Sequence, residues 1–335
     1  MTFPLLKVEN LSKHFPVYSK GFFKRRIGTV KAVDQVSFSL NTNETLGLVG
    51  ESGCGKTTTA QTLLRAIRPT DGQVFFDHKG IGDPIDLATQ SEAELKPFRR
   101  HMQMIFQDPF SSLNPRMTVG RIIAEPMLIH KLARGSELDD RVEMILKKVG
   151  LKPEYKSRYP HAFSGGQRQR IGIARALIME PALVVADEAV SALDVSVQAQ
   201  VINLLDDLQQ EFGLAYLFIA HDLSVVRHIC DRVAVMYAGR IVETAPTKVL
   251  FNNPLHPYTQ LLLASVPSPD PNVRMKLEEF SEVADSGNLP SGCSFQPRCG
   301  QCLEECGHDT PELLEVEAGH FAACLLRRGN HVFRS

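Results

Sequence analysis

The sequence predicts an α/β fold with a mostly parallel sheet and an antiparallel β edge layer, and three observations carry this prediction. Apolar runs of five or six residues, which are typical of strands buried on both faces, alternate with helical segments from residue 45 onward. A glycine-rich turn joins the first of these strands to a helix, which is the usual opening of a parallel α/β core. Two strand-like patches, Leu5–Val8 and Val33–Leu40, come before this region and predict the edge layer.

The later elements are assigned from the spacing of apolar residues. Near-continuous apolar runs at Thr45–Gly50, Ala182–Ala186 and Tyr216–Ala220 predict buried strands. Apolar residues at positions 197, 201, 204, 205, 208 and 212 follow the period of a helix. Similar spacing predicts the remaining elements: helices at Lys56–Ile67, Leu138–Val149 and Gln167–Met179, and the last strands within Arg232–Val242.

The chain of 335 residues is long enough for two compact parts. We expect a body at residues 1–252, which includes a helical subdomain at about residues 115–165. Residues 253–335 then form an extension. Its linker is predicted from a rise in proline density, and a small Cys-rich appendix follows; the prolines are Pro254, Pro257, Pro267, Pro269 and Pro271.

Charge and hydropathy exclude several classes of protein. The 38 acidic and 37 basic residues nearly cancel, so the sequence gives no support for a nucleic-acid partner. No apolar run approaches the roughly 18 residues that cross a bilayer, and the first residues resemble a short strand and not a signal peptide. We therefore expect a cytosolic chain that acts at a membrane only by docking onto other subunits.

The glycine-rich turn has the full pattern of a phosphate-binding loop, G-x-x-x-x-G-K-[ST]. Glycines let backbone N–H groups curl around phosphate oxygens, and the following helix adds the positive end of its dipole. In this pattern the lysine neutralises the β- and γ-phosphates, and the next hydroxyl ligates Mg²⁺. A chance glycine-rich turn is the alternative, but the strand–loop–helix context favours binding of ATP with Mg²⁺. The residues are Gly50, Glu51, Ser52, Gly53, Cys54, Gly55, Lys56 and Thr57, with Thr58 next in the helix.

Two acidic residues end the second buried strand. Asp187 at a buried strand end is costly unless it meets a cation, so it suits Mg²⁺, held through water. Glu188 beside it can orient and deprotonate an attacking water, which makes it the candidate catalytic base. The alternative is a pair of acids that cap the next helix.

The segment Phe163–Arg170 resembles the signature motif of ABC ATPases, a family with a P-loop NTPase core. Ser164 is predicted to cap a helix, and Gly165 and Gly166, followed by Gln167, leave backbone N–H groups bare for an anion. The resemblance implies that this surface closes over the γ-phosphate that is held by the other subunit of a dimer.

The other family motifs follow in order, and their roles are implied by the resemblance. Gln107 resembles the Q-loop glutamine, which reaches Mg²⁺ and the attacking water. The segment Ser191–Asp194, which ends in Asp194, resembles the D-loop that communicates between the two sites. His221 resembles the switch histidine that senses the γ-phosphate. Phe15 is the candidate base-stacking aromatic, and a core role is its alternative.

Longer stretches narrow the resemblance. Phe106–Arg116, Asn253–Thr259 and the Cys-rich tail are similar to ATPase subunits of oligopeptide and dipeptide importers, a family that also serves nickel and opines. Alanine at position 189, directly after Glu188, resembles the second ATPase subunit of oligopeptide importers at this position. Related importers of nickel, opines or sugars, and non-transport ABC ATPases, are the alternatives.

This resemblance also implies partners and a location. The partners are a second ABC ATPase subunit, in a heterodimer or alternatively a homodimer, and two membrane permease subunits. A periplasmic or extracellular substrate-binding protein would be met indirectly. The chain would then lie peripherally at the cytoplasmic face of the inner membrane.

The tail carries five of the seven cysteines. In a reducing compartment such a cluster predicts a metal site more than a disulfide framework. The spacing C-x5-C-x6-C-x17-C resembles the tail that is associated with a [4Fe–4S] cluster in related peptide importers, and its residues are Cys293, Cys299, Cys306 and Cys324. Four thiolates also suit zinc, and additional donors keep zinc open as an alternative, namely Cys302, His308 and His320.

Overall fold

The computed structural model describes residues 3–19, 25–78, 83–265 and 290–327. Within these ranges no helix combines the length and the apolar character that spanning a membrane requires. The predicted linker residues Pro267, Pro269 and Pro271 lie outside the described ranges.

The described residues contain strands and helices in an order that confirms the predicted α/β class. The strands are β1 (Leu6–Tyr18), β2 (Arg26–Leu40), β3 (Thr45–Val49), β4 (Asp71–Phe76), β5 (Ile85–Asp86), β6 (Met102–Ile105), β7 (Leu183–Asp187), β8 (Ala215–Ala220), β9 (Arg232–Tyr237), β10 (Arg240–Pro246), β11 (Leu314–Glu317) and β12 (His320–Ala322). The helices are α1 (Lys56–Leu63), α2 (Glu92–Arg99), α3 (Val119–Ile129), α4 (Gly135–Lys148), α5 (Gly165–Leu177), α6 (Val195–Phe212), α7 (Leu223–Ile229), α8 (Thr247–Asn252) and α9 (Pro257–Ala264).

The chain packs as two compact units, and the first comprises residues 1–6, 40–45 and 76–220. Its strands β6, β7 and β8 pair in parallel, with Met102 opposite Leu183 and Leu183 opposite Ala215. Every residue of β7 and β8 is buried, which explains their near-continuous apolar sequence. Helices α3 and α4 lie within the predicted helical subdomain, and both pack against α5.

The second unit comprises residues 7–39, 46–75 and 221–335. Strand β3 pairs in parallel with β9, and β9 pairs in antiparallel fashion with β10. Strands β1, β2 and β4 of this unit are neighbours in a separate sheet, in the order β2–β1–β4. This sheet is antiparallel, as the sequence predicts for the edge layer.

The tail contributes two strands that the sequence did not predict. Strand β12 pairs with β10, with Glu243 opposite Ala322, and β11 pairs with β12. Glu243 and His320 are fully buried, and His320 Nε2 lies 2.7 Å from Glu243 Oε1. The same carboxylate accepts the backbone N–H groups of Leu255 and His256, so it satisfies several buried polar groups at once. Residues 252 and 253 both belong to the second compact unit, and the domain boundary between them stays a prediction.

Element ends differ from the predictions for physical reasons. The predicted helix Lys56–Ile67 ends at Leu63, because Arg65 adopts the left-handed conformation (φ 56°) and turns the chain. Strands β1 and β2 run much further than the predicted patches. In β1, Phe15–Tyr18 are exposed, so this end carries no alternation of apolar and polar residues that a sequence pattern could detect.

Candidate functional site

The phosphate loop (residues 50–57) joins β3 to α1, as the motif requires. Gly50 and Gly55 have φ values of 152° and 108°, which favour glycine. A Cβ on Gly50 would lie 2.1 Å from the carbonyl oxygen of Met236, and one on Gly55 would lie 2.0 Å from that of Ala32. The backbone can therefore take this path only with glycine at both positions.

Lys56 starts α1 and is buried in the loop. Its Nζ donates to the carbonyl oxygens of Gly50 at 2.7 Å and Glu51 at 2.9 Å. Cys54 Sγ lies 3.8 Å from the same nitrogen. Burial raises the pKa of the Cys54 thiol above its usual value although Lys56 opposes it, so this cysteine lines the loop as a neutral group. Thr57 is exposed at the start of α1, and Thr58 follows it.

Glu51 makes two long-range contacts that the sequence does not predict. Its backbone N–H donates to the hydroxyl of Tyr258 at 2.9 Å. Its carboxylate accepts two hydrogen bonds from the guanidinium of Arg298, at 2.8 and 2.9 Å. Both partners come from segments more than 200 positions away, and no local sequence pattern marks them.

The predicted catalytic carboxylate, Glu188, lies directly after β7. Asp187 is the buried last residue of that strand, and Glu188 follows it. Glu188 has a φ of 46°, an uncommon conformation for a residue with a side chain, and such strain collects at functional sites. Its backbone N–H donates to the carbonyl oxygen of Ile219 at 3.0 Å, and Ser191 Oγ donates to its carbonyl oxygen at 3.0 Å.

Gln107 and Glu188, which are 81 positions apart, meet directly. Gln107 Nε2 donates to Glu188 Oε2 at 2.6 Å. This hydrogen bond from Gln107 fixes the orientation of the Glu188 carboxylate. The two residues that the resemblance assigns to the attacking water are therefore neighbours.

Ser164 caps α5, as predicted. Its Oγ accepts the backbone N–H of Gln167 at 3.4 Å, and Gln167 Oε1 accepts the backbone N–H of Ser164 at 3.1 Å, which is a complete capping box. A Cβ on Gly166 would lie 2.4 Å from Val197 Cγ1, so glycine is needed for the approach of α6. Gly165 is the first residue of α5 and leaves its N–H at the helix tip.

The remaining predicted residues are at element ends or on the surface. Asp194 precedes α6, and its carbonyl oxygen accepts the backbone N–H groups of Val197 and Gln198. His221 is exposed between β8 and α7. Phe15 is 36% exposed on β1, with Lys13 Nζ 5.0 Å from its ring centroid. This exposure leaves a ring face for a base, and the role itself stays a prediction.

The tail cysteines do not form a ligand set in the described residues. No group of three or more His, Cys, Asp or Glu side chains is arranged there to hold a metal ion. Burial raises the pKa of the Cys293, Cys299, Cys306 and Cys324 thiols, that of Cys324 to about 11. His320, considered as a zinc donor, is instead engaged by Glu243. The described residues therefore contain no preassembled metal site.

Comparison with known proteins agrees with these motifs. Residues 33–191 match the family model "ABC transporter", and residues 242–306 match "Oligopeptide/dipeptide transporter, C-terminal region". The chain is 52% identical over 326 residues to the oligopeptide transport ATP-binding protein AppF of Bacillus subtilis (strain 168), which covers 96% of this chain and 97% of AppF.

Solved structures show the same fold. The dimeric ATP-binding cassette MJ0796 bound to ADP and Pi aligns with a TM-score of 0.62 at 26% identity, over 72% of this chain and 98% of MJ0796. The cbiO1 protein of Clostridium perfringens, part of the ABC transporter complex cbiONQ, aligns with a TM-score of 0.62 at 28% identity, over 75% of this chain and 91% of cbiO1. The chain is therefore an ABC-type ATPase, which binds ATP with Mg²⁺, and it belongs to the family of oligopeptide and peptide transport ATP-binding proteins.

Proposed function

We propose that this ATPase powers a membrane importer of oligopeptides or dipeptides. The observation that carries the proposal is the presence in one chain of the phosphate loop and, at residues 242–306, of the C-terminal region of oligopeptide/dipeptide transporters. The 52% identity to AppF over nearly the whole chain favours peptides over nickel, opines or sugars as cargo.

In this proposal, the phosphate loop binds the phosphates of the nucleotide. Lys56 neutralises the β- and γ-phosphates, and the Thr57 hydroxyl ligates Mg²⁺. Backbone N–H groups of Gly53–Thr58 cradle the phosphates at the N-terminus of α1. Phe15 stacks on the base. The proposal is supported by the positive φ values of Gly50, Gly53 and Gly55, which bend the loop back on itself.

Hydrolysis depends on the pair Gln107 and Glu188. Glu188 orients and deprotonates the attacking water, Gln107 holds both that water and Mg²⁺, and Asp187 holds Mg²⁺ through water. His221 senses the γ-phosphate. The 2.6 Å bond between Gln107 Nε2 and Glu188 Oε2 supports the joint role of the first two residues.

In this proposal residues 1–252 are the ATPase domain, with its helical subdomain at about residues 115–165, and residues 253–335 are the importer-type extension. The chain works in a dimer with a second ATPase, either a different chain or a copy of itself. The tip of α5, with Ser164, Gly165, Gly166 and Gln167, closes over the γ-phosphate held by the partner, and Asp194 links the two sites. Closure and hydrolysis drive two permease subunits at the cytoplasmic face of the membrane.

Co-purification of the membrane subunits tests this function. We expect the chain to be recovered with a permease pair, with a substrate-binding protein that carries a peptide, and without nucleic acid. Peptide-loaded binding protein should then stimulate ATP hydrolysis of the assembled complex. A binding protein loaded with nickel, an opine or a sugar would contradict the peptide assignment and leave the ATPase assignment intact.

We also propose that the tail cysteines take up a metal, with a [4Fe–4S] cluster as the first candidate and zinc as the second. Support comes from Cys293 and Cys299, which lie close enough to Cys324 to help raise the pKa of its thiol, and from the backbone hydrogen bond of 2.9 Å between Cys293 N–H and Cys306 C=O. Since a bound metal deprotonates thiols, it would also offset the raised pKa values.

Metal analysis of anaerobically purified protein tests this proposal. We expect about four irons per chain and a brown absorbance, because four thiolates are the usual ligand set of such a cluster. Cys299→Ser should lose the iron. Cys302→Ser is the matched control, because Cys302 is exposed and donates to the carbonyl oxygen of Leu303, and it should keep the iron. Zinc at about one per chain would favour the second candidate, and the absence of both metals would refute the proposal.

A further inference from the structure

Glu51, the second residue of the phosphate loop, is held at three points. Its carboxylate accepts two hydrogen bonds from Arg298. Its backbone N–H donates to the hydroxyl of Tyr258, and its carbonyl oxygen accepts Lys56 Nζ. Two of the three contacts come from the segment after residue 252, and the third comes from the lysine that meets the phosphates. Glu51 therefore connects the extension directly to Lys56.

The contact with Arg298 has the geometry of a strong ion pair. Each terminal nitrogen of the Arg298 guanidinium donates to a different oxygen of the Glu51 carboxylate. The Arg298 side chain is only 6% exposed. Two parallel hydrogen bonds of this kind fix the relative orientation of the two side chains as well as the distance between them. The aromatic rings of Tyr237 and Phe295 lie with their centroids 5.9 Å from the guanidinium carbon. The hydrogen bonds to the Glu51 carboxylate also raise the pKa of Arg298, so the guanidinium stays charged.

Tyr258 supports the same loop from α9. Its side chain is fully buried, with its ring centroid 4.6 Å from that of Tyr237 and 5.5 Å from that of Phe295. The ring cannot swing away without opening this cluster, so the hydroxyl stays fixed at the N–H of Glu51. A buried hydroxyl that accepts a loop N–H sets the position of that loop.

From these contacts we propose that the C-terminal extension is a structural part of the ATP site, with Arg298 and Tyr258 as positioning residues that hold the phosphate loop in its nucleotide-binding shape. The inference rests on the proposed role of the phosphate loop. It adds that ATP affinity depends on docking of residues 290–327. Arg298 does not contact nucleotide in this proposal and acts through Glu51.

Steady-state kinetics of the full-length Arg298→Gln variant test the proposal. We expect the KM for ATP to rise about tenfold while kcat changes less than about twofold, because the loop is displaced and the catalytic carboxylate at residue 188 is untouched. Arg327→Gln is the matched control, since this tail arginine donates to the carbonyl oxygen of Leu255 and does not reach the loop. It should leave the KM unchanged. Arg298→Lys keeps the charge without the fork and should give an intermediate KM.

Two results would overturn the proposal. One is an unchanged KM in Arg298→Gln, including the case in which only its melting temperature falls. The other is independence of Glu51 and Arg298: if Glu51→Gln and Arg298→Gln act through one contact, the double variant should lose about as much affinity as either single variant. If the loss of affinity in the double variant instead equals the product of the two single losses, Arg298 and Glu51 act independently and the proposal is wrong. Should Arg298→Gln fail to fold, the KM of Arg298→Lys decides, and a KM equal to that of wild type refutes the proposal.

Wild-type protein that does not hydrolyse ATP in the assembled complex would contradict the function itself. Wild-type turnover together with an unaffected Arg298→Gln variant would contradict only the positioning role of the extension.

Discussion

Lys56→Ala is expected to reduce ATP binding and hydrolysis by at least about a hundredfold. The variant removes the ammonium group that neutralises the β- and γ-phosphates, including the negative charge that develops on them during hydrolysis. It also frees the carbonyl oxygens of Gly50 and Glu51, which Lys56 Nζ holds at 2.7 and 2.9 Å. Nucleotide affinity by equilibrium dialysis and the rate of phosphate release by the purified protein would measure both effects.

Lys248→Ala is the control for this variant, because Lys248 is an exposed lysine on α8 of the same compact unit. It should bind and hydrolyse ATP as wild type does. A Lys56→Ala protein that is folded by circular dichroism and turns over ATP at the wild-type rate would refute the assignment of the phosphate loop.

Glu188→Gln is expected to keep ATP binding and lose hydrolysis by a factor of about 10² to 10⁴, the range for a general base. The amide has the size of the carboxylate and can still accept the hydrogen bond from Gln107 Nε2, so geometry is retained while the proton acceptor is lost. Phosphate release and nucleotide affinity, measured on the same sample, separate the two effects.

A matched control is available within the first compact unit. Glu180 is an exposed glutamate that also adopts a positive φ, 49°, so Glu180→Gln makes the same chemical change on a similar backbone. Its turnover should equal that of wild type. Wild-type turnover in Glu188→Gln would show that another group accepts the proton.

The sequence predicts candidate site residues most directly where function depends on neighbouring residues. The phosphate loop, the acidic pair Asp187 and Glu188, and the Ser164 cap are each local patterns whose chemistry fixes their spacing. Buried strands such as β8 were predictable because burial on both faces demands an apolar run. The sequence assigned both Gln107 and Glu188 to the attacking water, but it did not predict their direct hydrogen bond, since 81 positions separate them.

Other features had no local signal. Arg298 and Tyr258 reach Glu51 from the extension, and nothing in the spacing of a single arginine or tyrosine marks a long-range partner. Strands β11 and β12 are only four and three residues long, below the length at which alternation can be recognised. The exposed end of β1 lacked a pattern because solvent on its side chains relaxes the need for apolar residues.

In the proposed function, ATP is bound between the phosphate loop of one chain and the α5 tip of another. The most direct measurement is the mass of the Glu188→Gln protein with ATP and Mg²⁺ in sedimentation, alone and with its co-purified second ATPase. We expect an ATP-dependent dimer. A further Ser164→Asp substitution should abolish it without loss of ATP affinity, because aspartate keeps the helix cap but repels the γ-phosphate. Ser164→Asn, a cap without charge, should still dimerise. Unchanged dimerisation of the Ser164→Asp protein with ATP would contradict the claim.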